Sequence, residues 1–257
     1  MKEHFARPIQ RNRLLDVPID IIIPFHGQYE KVHKLVDSIW LGLKSNPYNI
    51  CLVDDCSPNA EYIKAYEKSP KTTTVRLDSQ MGFGAALQAG YRATENPFVA
   101  FVHSDCVMED HSCFYNLSNL LLDTGVGMVA ARSDNPGEGT DQRLKAKKNE
   151  VGKDIILDEG TLPLYCVLTR RTLFQKIGGF VRPYPLGYYE DEELASRMRF
   201  FGIKQAISGK AWVRHRAGAT FTALAKDGKE QILHETIDKN YDQFQKDIAT
   251  LMRNATE

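Results

Sequence analysis

The chain of 257 residues is 42% hydrophobic and 26% charged, values that are typical of a globular protein and exclude a disordered or fibrous one. Its 33 basic and 33 acidic side chains give a net charge of zero, which disfavours nucleic acid as a partner. No apolar run approaches the roughly 18 residues of a membrane-spanning helix, and residues 1–16 lack the apolar core of a signal peptide. We therefore expect a soluble, cytoplasmic protein with no transmembrane segment.

The cysteines favour the same compartment. There are five of them, and none belongs to a C-x-x-C pair of the kind found in zinc fingers. We expect reduced, mostly buried thiols rather than a zinc site or a catalytic nucleophile.

Strand signals alternate with helical patterns in the first half of the chain. Strands are predicted at residues 19–23, 50–53, 73–77 and 98–102. Helical patterns begin at residue 30, at Ser57-Pro58, which resembles an N-cap followed by proline, and after the glycine-rich turn 81–84. This order of strands and helices predicts a parallel sheet covered by helices on both faces.

The second half of the chain has a less regular pattern. Residues 132–160 are polar and contain glycine, which predicts a long loop. Strands are expected at 162–168 and 211–213, a short helix at 170–176, and a longer helix from the acidic cluster 190–193 through residue 200. A surface helix is predicted at 226–252, with an apolar stripe formed by Ile232, Ile237, Tyr241, Phe244 and Ile248.

Polar side chains follow three of the predicted parallel strands. His26 follows the first strand, Asp54 and Asp55 end the second, and Asp105 follows the fourth. Ligands of such sheets bind outside the carboxyl ends of the strands, where carboxylates can supply the oxygen ligands of a divalent cation. The alternative left open is that these aspartates only start turns or cap helices.

Three further features each have a functional and a structural interpretation. Gly82-Phe83-Gly84 is half of a dinucleotide-binding fingerprint, or only a tight turn. The cluster 190–193 is a solvated first helical turn, or a place where the aromatic residues 184–189 give a carboxylate the raised pKa of a general base. His215 is an interior histidine or a metal ligand.

Seven segments stand in an order and spacing that is informative as a set. They are IIIPFHGQYEKVHKLVDSI, CLVDDCSPN, QMGFGAALQAGY, FVAFVHSDC, LPLYCVLTRRTLFQKIGGF, YYEDEELASRMRFFG and WVRHRAGATF. Together they resemble the family-2 glycosyltransferases of the GT-A fold over residues 18–222. The resemblance implies an α/β protein with a single GT-A type domain, in which a Rossmann-like, mostly parallel central sheet is flanked by helices and followed by a C-terminal helix.

The resemblance also implies how the chain is divided. Residues 1–17 form an N-terminal extension, and residues 18–222 form the glycosyltransferase domain. Within that domain, residues 18–106 are the nucleotide-binding half and residues 107–222 are the acceptor-binding half. Residues 223–257 form a C-terminal helical extension.

By the same resemblance, the donor contacts a set of residues at and near the strand ends. The nucleotide-sugar-binding set is Pro24, Phe25, His26, Glu30, Asp54, Asp55, Gly82, Gln88, His103 and Ser104. This chain departs from the family pattern in two places. Gln80 and Gln88 replace two asparagines, and His103 replaces the first aspartate of the D-x-D metal motif.

The resemblance assigns the remaining roles as well. Asp105 and His215 are the expected ligands of a divalent cation, Mn²⁺ or Mg²⁺. Asp191 is the expected catalytic base. The residues expected at the acceptor are Glu190, Tyr189 and Trp212.

The implied function is inverting transfer of a sugar from a nucleotide-diphosphate sugar, a UDP-sugar being expected, to a hydroxyl of a glycan, glycolipid or other acceptor. Two alternatives are kept. One is a non-catalytic nucleotide-sugar or carbohydrate-binding protein, which His103 supports. The other is a sugar-phosphate nucleotidyltransferase, which is disfavoured because residues 25–28 lack a basic, glycine-rich loop. A homo-oligomer formed through the C-terminal helix is also left open.

Overall fold

A computed structural model of the chain describes residues 17–43, 47–137, 140–181, 184–216 and 230–254. Except for residue 17, the predicted N-terminal extension lies outside the described residues. The same holds for residues 217–229, which include the predicted start of the C-terminal helix, and for residues 255–257. In the part that is described, no helix is both long enough and apolar enough to cross a membrane.

Four parallel strands form the first half of the central sheet. They are β1 (Ile19–Phe25), β2 (Tyr48–Asp54), β3 (Thr72–Arg76) and β4 (Phe98–Val102), in the spatial order β3-β2-β1-β4. The crossovers contain α1 (Tyr29–Gly42), α2 (Glu61–Lys64) and α3 (Phe83–Arg92). All residues of β1 are buried, which explains its nearly continuous run of β-branched side chains. The four predicted strands and their parallel order are confirmed.

The second half of the sheet inserts one reversed strand. β8 (Cys166–Arg170) lies antiparallel between β4 and β6 (Met128–Ser133), and β9 (Gln205–His215) runs parallel to β6. The short strands β5 (Cys106–Val107) and β7 (Ile155–Leu157) pair antiparallel with β9. Strands β1–β4, β6 and β9 therefore all point the same way, and their carboxyl ends share one edge of the sheet.

Helices cover both faces of the sheet. α1 and α4 (Cys113–Thr124) pack on one face, and α3, α5 (Arg171–Lys176) and α6 (Glu190–Phe200) pack on the other. Side chains of β1 alternate between these layers, with Ile21 on the α1 side and Ile22 on the α3 side. Gly90 lets α3 approach closely, since a Cβ at this position would lie 2.5 Å from a methyl carbon of Ile22.

The predicted loop at 132–160 contains more structure than its composition indicated. It includes the end of β6, a 3₁₀ helix (Gln142–Leu144) and β7, and residues 138–139 lie outside the described part. Leu144 and Leu157 are buried in the core. Leu144 stands alone among polar residues, and the apolar run 155–157 is only three residues long, so no periodic pattern marked either.

Two strand boundaries in the second half differ from the prediction. The strand expected at 162–168 begins only at Cys166, because Pro163 has no amide hydrogen and the amide of Leu164 donates to a side chain instead. The strand expected at 211–213 is the last part of the much longer β9.

The start of α2 also differs from the prediction. The helix begins at Glu61 and not directly after Ser57. The Ser57 hydroxyl accepts the amide of Gly27 at 2.7 Å, so this side chain connects the ends of two strands and does not cap the helix.

The last helix, α7 (Glu230–Asn254), packs on α6 of its own chain. The prediction of its apolar stripe is partly wrong. Ile232 and Tyr241 are 59% and 48% exposed. The packed face is centred on Leu233 and Asn240, which lie two helical turns apart. A homo-oligomer through this helix stays a prediction.

Asp20 connects several elements at the amino-terminal edge of the sheet. The side chain is buried, and its carboxylate accepts the Asn49 side-chain amide, the Asn96 backbone amide and the Arg171 guanidinium. These contacts join β1, β2, the loop before β4 and α5.

We expect Asp20→Ala to lower the free energy of unfolding by about 3 kcal/mol, because it leaves the poorly solvated Arg171 guanidinium without its counter-charge. Urea denaturation measures this loss. Asp123→Ala, at an exposed position of α4, is the matched control and should change stability by less than about 0.5 kcal/mol. Similar stabilities for the two variants would contradict the assignment.

Candidate active site

A tight turn after β4 carries His103-Ser104-Asp105. The Cys106 amide donates to the His103 carbonyl at 3.1 Å, which closes the turn. Cys106 also pairs with His215 at the end of β9. The side chains of His103, Asp105 and His215 are therefore brought together, and one donor atom of each lies within 4.8 Å of the others.

The His215 ring is held in one orientation. Its Nδ1 lies 2.8 Å from the Asn135 carbonyl oxygen, which only accepts, so Nδ1 carries a proton and Nε2 is the nitrogen turned toward the site. The ring stacks on Tyr165 with centroids 4.7 Å apart. Nε2 lies 3.3 Å from Asp105 Oδ1, and neither buried atom has a hydrogen-bond partner among the described residues.

The protonation states of the other two side chains suit metal binding. Burial and the neighbouring His215 lower the pKa of His103 to about 4, so this imidazole is neutral at pH 7. Burial acts to raise the pKa of Asp105, but the proximity of the two imidazoles outweighs it and the pKa lies below its ordinary value. The neutral imidazole and the carboxylate are the ligating forms of these groups.

These three side chains fit a divalent cation. Asp105 Oδ1 and His215 Nε2 are buried 3.3 Å apart without a hydrogen-bond partner among the described residues, and a cation that binds both atoms would satisfy them. Two imidazole nitrogens and one carboxylate oxygen also leave coordination positions open for a second molecule. The sequence predicted Asp105 and His215 as ligands and placed His103 with the nucleotide; the structure adds His103 to the cluster.

A second group lies at the start of α6. Asp191 is partly exposed, and its Oδ2 accepts the Leu164 amide at 3.3 Å. Burial and the nearby Glu192 raise the pKa of Asp191 to about 7, against the lowering effect of that amide. A carboxylate with this pKa has the proton affinity that a general base needs near neutral pH.

Glu190 faces the interior beside it. The side chain is 2% exposed, and its Oε1 accepts the Gly84 amide at 3.3 Å. Burial, and after it the charge of Asp191, raises the pKa of Glu190 well above its ordinary value. Glu190 therefore resists ionisation.

Asp55 fixes the glycine-rich turn before α3. Its carboxylate oxygens accept the amides of Met81 at 2.7 Å and Gly82 at 2.9 Å. Burial raises the pKa of Asp55, although these two amides oppose the shift. Gly82 has a φ of 91°, and a Cβ there would lie 2.9 Å from the Tyr184 carbonyl oxygen. The glycines therefore form a tight turn, which is the structural one of the two interpretations.

Two residues predicted to contact the donor have internal partners. Asp54 is fully buried, and its carboxylate binds the Ser57 amide and the Arg76 guanidinium. Gln88 accepts the Phe180 amide at 3.0 Å. Both hold loops around the site, and their contact with a donor stays a prediction.

The other predicted donor residues lie at the same edge of the sheet or next to it. Pro24 and Phe25 end β1, and the Phe25 ring is buried among tyrosines of α1 and α2. The Nδ1 of His26 lies 2.8 Å from a backbone carbonyl oxygen just after β2. Glu30 is exposed in the first turn of α1, and Ser104 is partly exposed in the turn after β4.

Trp212, predicted at the acceptor, is not brought to the site. Side chains alternate along a strand, so Trp212 lies on the other face of β9 from His215. The Trp212 side chain is 4% exposed, and its Nε1 donates to the Ala146 carbonyl at 3.0 Å. It anchors the segment after the 3₁₀ helix.

Tyr189, also predicted at the acceptor, directly precedes Glu190. Its backbone is left-handed, with a φ of 73°. Its ring stacks on Phe244 of α7, with centroids 5.5 Å apart and planes at 19°. Tyr189 is therefore near the site, and its ring is turned toward the C-terminal helix.

Three residues of the site were not predicted. They are Phe83, whose ring stands edge-on to His103 at 4.7 Å, Leu164 and Tyr165. Leu164 contributes its backbone amide, which any residue type could supply. The Tyr165 ring contacts His215, which is distant in the sequence. No sequence pattern therefore identifies either residue. Phe83 is marked only by its place between the two glycines.

The family comparison agrees with this geometry. A family profile described as Glycosyl transferase family 2 matches residues 20–192, more than half of the chain. No curated protein matches the chain in sequence.

Solved structures share the fold at low sequence identity. GalNAc-T7 with UDP, GalNAc and Mn²⁺ superposes with a TM-score of 0.62 at 14% identity, over 77% of this chain and 44% of that one. Residues 1–349 of S. aureus TarS give 0.58 at 17% identity, over 77% and 60%. The mannosyltransferase PcManGT from Pyrobaculum calidifontis, in complex with GDP-Man and Mn²⁺, gives 0.59 at 16% identity, over 78% and 58%.

The present chain thus spans about half of the length of these proteins, and its likeness to them is one of fold. The predicted family and fold are both confirmed. By the match over residues 20–192 and by its strand order, the chain belongs to glycosyl transferase family 2 and has the GT-A fold.

Proposed function

We propose that the protein moves a sugar from a nucleotide-diphosphate sugar to an acceptor hydroxyl, in a single displacement that inverts the anomeric carbon. The observation that carries the proposal is a partly exposed carboxylate with a pKa of about 7, Asp191, on the same side of the molecule as the His-Asp-His cluster. The two are linked by adjacent residues. Leu164 binds Asp191 and Tyr165 stacks on His215.

His103, Asp105 and His215 would hold the divalent cation. We favour Mn²⁺ over Mg²⁺ because two of the three donor atoms are imidazole nitrogens. When bound, such a cation neutralises the charge that grows on a departing diphosphate. The structures of GalNAc-T7 and PcManGT both contain Mn²⁺, which supports this choice.

For the donor we propose a UDP-sugar. GalNAc-T7 was solved with UDP and TarS with UDP-GlcNAc, whereas PcManGT was solved with GDP-Man. A GDP-sugar is therefore the first alternative to test. The acceptor is proposed only as a class, a hydroxyl of a glycan, glycolipid or other molecule.

In the proposed reaction, Asp191 takes the proton of the acceptor hydroxyl as that oxygen attacks the anomeric carbon. The Leu164 amide holds Asp191 Oδ2, which leaves the other carboxylate oxygen for the hydroxyl. Glu190 is buried on the Gly84 amide, and Asp105 belongs to the cation cluster. One available carboxylate acting as a base corresponds to one displacement, and one displacement inverts the configuration.

The alternative of a non-catalytic binding protein loses its main support. It rested on His103 in place of an aspartate. A neutral His103 beside Asp105 and His215 is a competent ligand, so the replacement does not abolish the cluster.

Asp191→Asn should lower kcat by at least about 10²-fold while leaving donor affinity unchanged, because it removes the proton acceptor and keeps the shape. Steady-state transfer and donor titration measure the two quantities. Glu192→Gln, which neutralises an exposed carboxylate in the same helical turn, is the matched control and should stay active. Equal loss of donor affinity in the Asp191→Asn variant would contradict the assignment.

The pH dependence follows from the raised pKa of Asp191. The base is protonated below its pKa, so kcat/KM should fall about tenfold per pH unit below about 7. Glu192→Gln should move this limb to lower pH, because the Glu192 charge is one cause of the shift. A profile that is flat from pH 5 to 8, or a limb that Glu192→Gln leaves in place, would be evidence against Asp191 as the base.

Donor binding should require the cation. With Mn²⁺ and a donor at about 100 times its Kd, we expect thermal unfolding to show about 2.7 kcal/mol of added stability, and none with chelator. Asp105→Asn and His103→Ala should each lose this stabilisation, whereas Asp123→Asn on the exposed side of α4 should keep it. Undiminished transfer in chelator would refute the role of the cluster.

A further inference from the structure

The C-terminal helix α7 lies outside the family match, which ends at residue 192, yet it holds the segment that leads into the candidate base. We call residues 184–189 the strap. It runs directly into Glu190 and Asp191 at the start of α6.

Asn240 of α7 binds the strap with both hydrogens of its side-chain amide. Its Nδ2 donates to the Pro185 carbonyl at 2.9 Å and to the Gly187 carbonyl at 2.8 Å. The Asn240 side chain is 3% exposed. A buried amide that fits two carbonyls of one loop defines the path of that loop closely.

Contacts at both ends of the strap also hold it against α7. At its start, the Tyr184 hydroxyl donates to Asp247 of α7 at 3.1 Å. At its end, the Tyr189 ring packs against Phe244 and Tyr241. The helix therefore holds the strap along its whole length.

The strap has a backbone that needs such support. Leu186, Tyr188 and Tyr189 all have left-handed φ values, of 63°, 72° and 73°. L-residues other than glycine and asparagine rarely adopt this conformation unless their surroundings impose it. A freed strap would therefore relax to other conformations.

The other side of the strap faces the glycine-rich turn. A Cβ on Gly82 would lie 2.9 Å from the Tyr184 carbonyl oxygen and 3.1 Å from the Leu186 nitrogen. The Gly84 amide donates to Glu190 just beyond the strap. The strap is thus held between this turn and α7, and a shift of the strap would carry Asp191 with it.

We propose that Asn240 is a positioning residue for Asp191, so that α7 is a working part of the transferase and not an appended extension. This inference rests on the proposed function, since it assigns to Asn240 the placement of the proposed base. Asn240 acts through the strap and touches no reacting atom.

The test compares Asn240→Asp and Asn240→Ala with wild type. Asn240→Asp keeps the volume and replaces the donor with an acceptor that faces the Pro185 and Gly187 carbonyls, and Asn240→Ala removes the amide altogether. We expect kcat to fall by about 10- to 100-fold, because small misplacements of a catalytic group have effects of this size. KM for the donor should change by less than about twofold, since no residue of the strap belongs to the predicted donor-binding set or to the His-Asp-His cluster.

Hydrogen exchange supplies a readout that needs no activity. Backbone amides of residues 184–191 should exchange at least about tenfold faster in both variants, while the β1–β4 strands keep wild-type protection. Gln245→Ala, at an exposed position of the same helix, is the matched control and should leave kcat and exchange unchanged. Tyr184→Phe removes one hydroxyl and should give a smaller change in the same direction.

The outcomes separate the two proposals. If wild type transfers no sugar from any donor, the proposed function fails, and exchange at 184–191 still decides whether Asn240 holds this segment. If wild type is active and Asn240→Asp matches it in kcat, the positioning role is overturned, whatever the exchange shows. Loss of kcat together with faster exchange at 184–191 and a retained donor KM supports it.

Discussion

The arrangement of the site depends on the carboxylate of Asp55, which directly follows β2. This carboxylate accepts the amides of Met81 and Gly82 and so fixes the glycine-rich turn before α3. The turn has no side chain at Gly82, and this allows residues 184–189 to lie directly against it. A series of backbone contacts therefore joins the first four strands to the start of α6. Asp55, at the end of β2, thereby supports the segment that leads into the candidate base.

The edge of the sheet holds titratable groups in different states because their surroundings differ. His103 is packed beside a second imidazole and away from water, so its pKa falls to about 4. Asp105 faces the same imidazoles, and its pKa is lowered. Burial and the neighbouring Glu192 raise the pKa of Asp191 to about 7. One edge thus brings together a neutral imidazole, an ionised carboxylate and a carboxyl group that titrates near neutrality, a combination that residue types alone do not specify.

Sequence patterns were sufficient where structure is local. Residues 19–23 and 98–102 are apolar runs of the length of a strand, and both became strands buried on two faces. β6 and most of β9 were not predicted; in the fold β6 pairs with β8 and β9, and β9 also pairs with β5 and β7. In the site, family motifs identified Asp105, His215 and Asp191 as candidates. The face on which Trp212 lies and the groups that bind Asp55 depend on which segments meet in the fold, and no single segment encodes that.

The histidine that replaces the first aspartate of the metal motif changes the charge of the cluster more than its capacity to bind. Asp105 brings one negative charge, and His103 and His215 act as ligands only as neutral imidazoles. Two carboxylates would cancel both charges of a divalent cation, whereas this set cancels one. At an effective dielectric constant of about 20, one added unit of charge at about 4 Å from an anion is worth about 4 kcal/mol before desolvation. With a cation held by these three residues, the replacement would favour binding of a diphosphate over binding of the cation alone, and donor and cation would bind together rather than in separate steps.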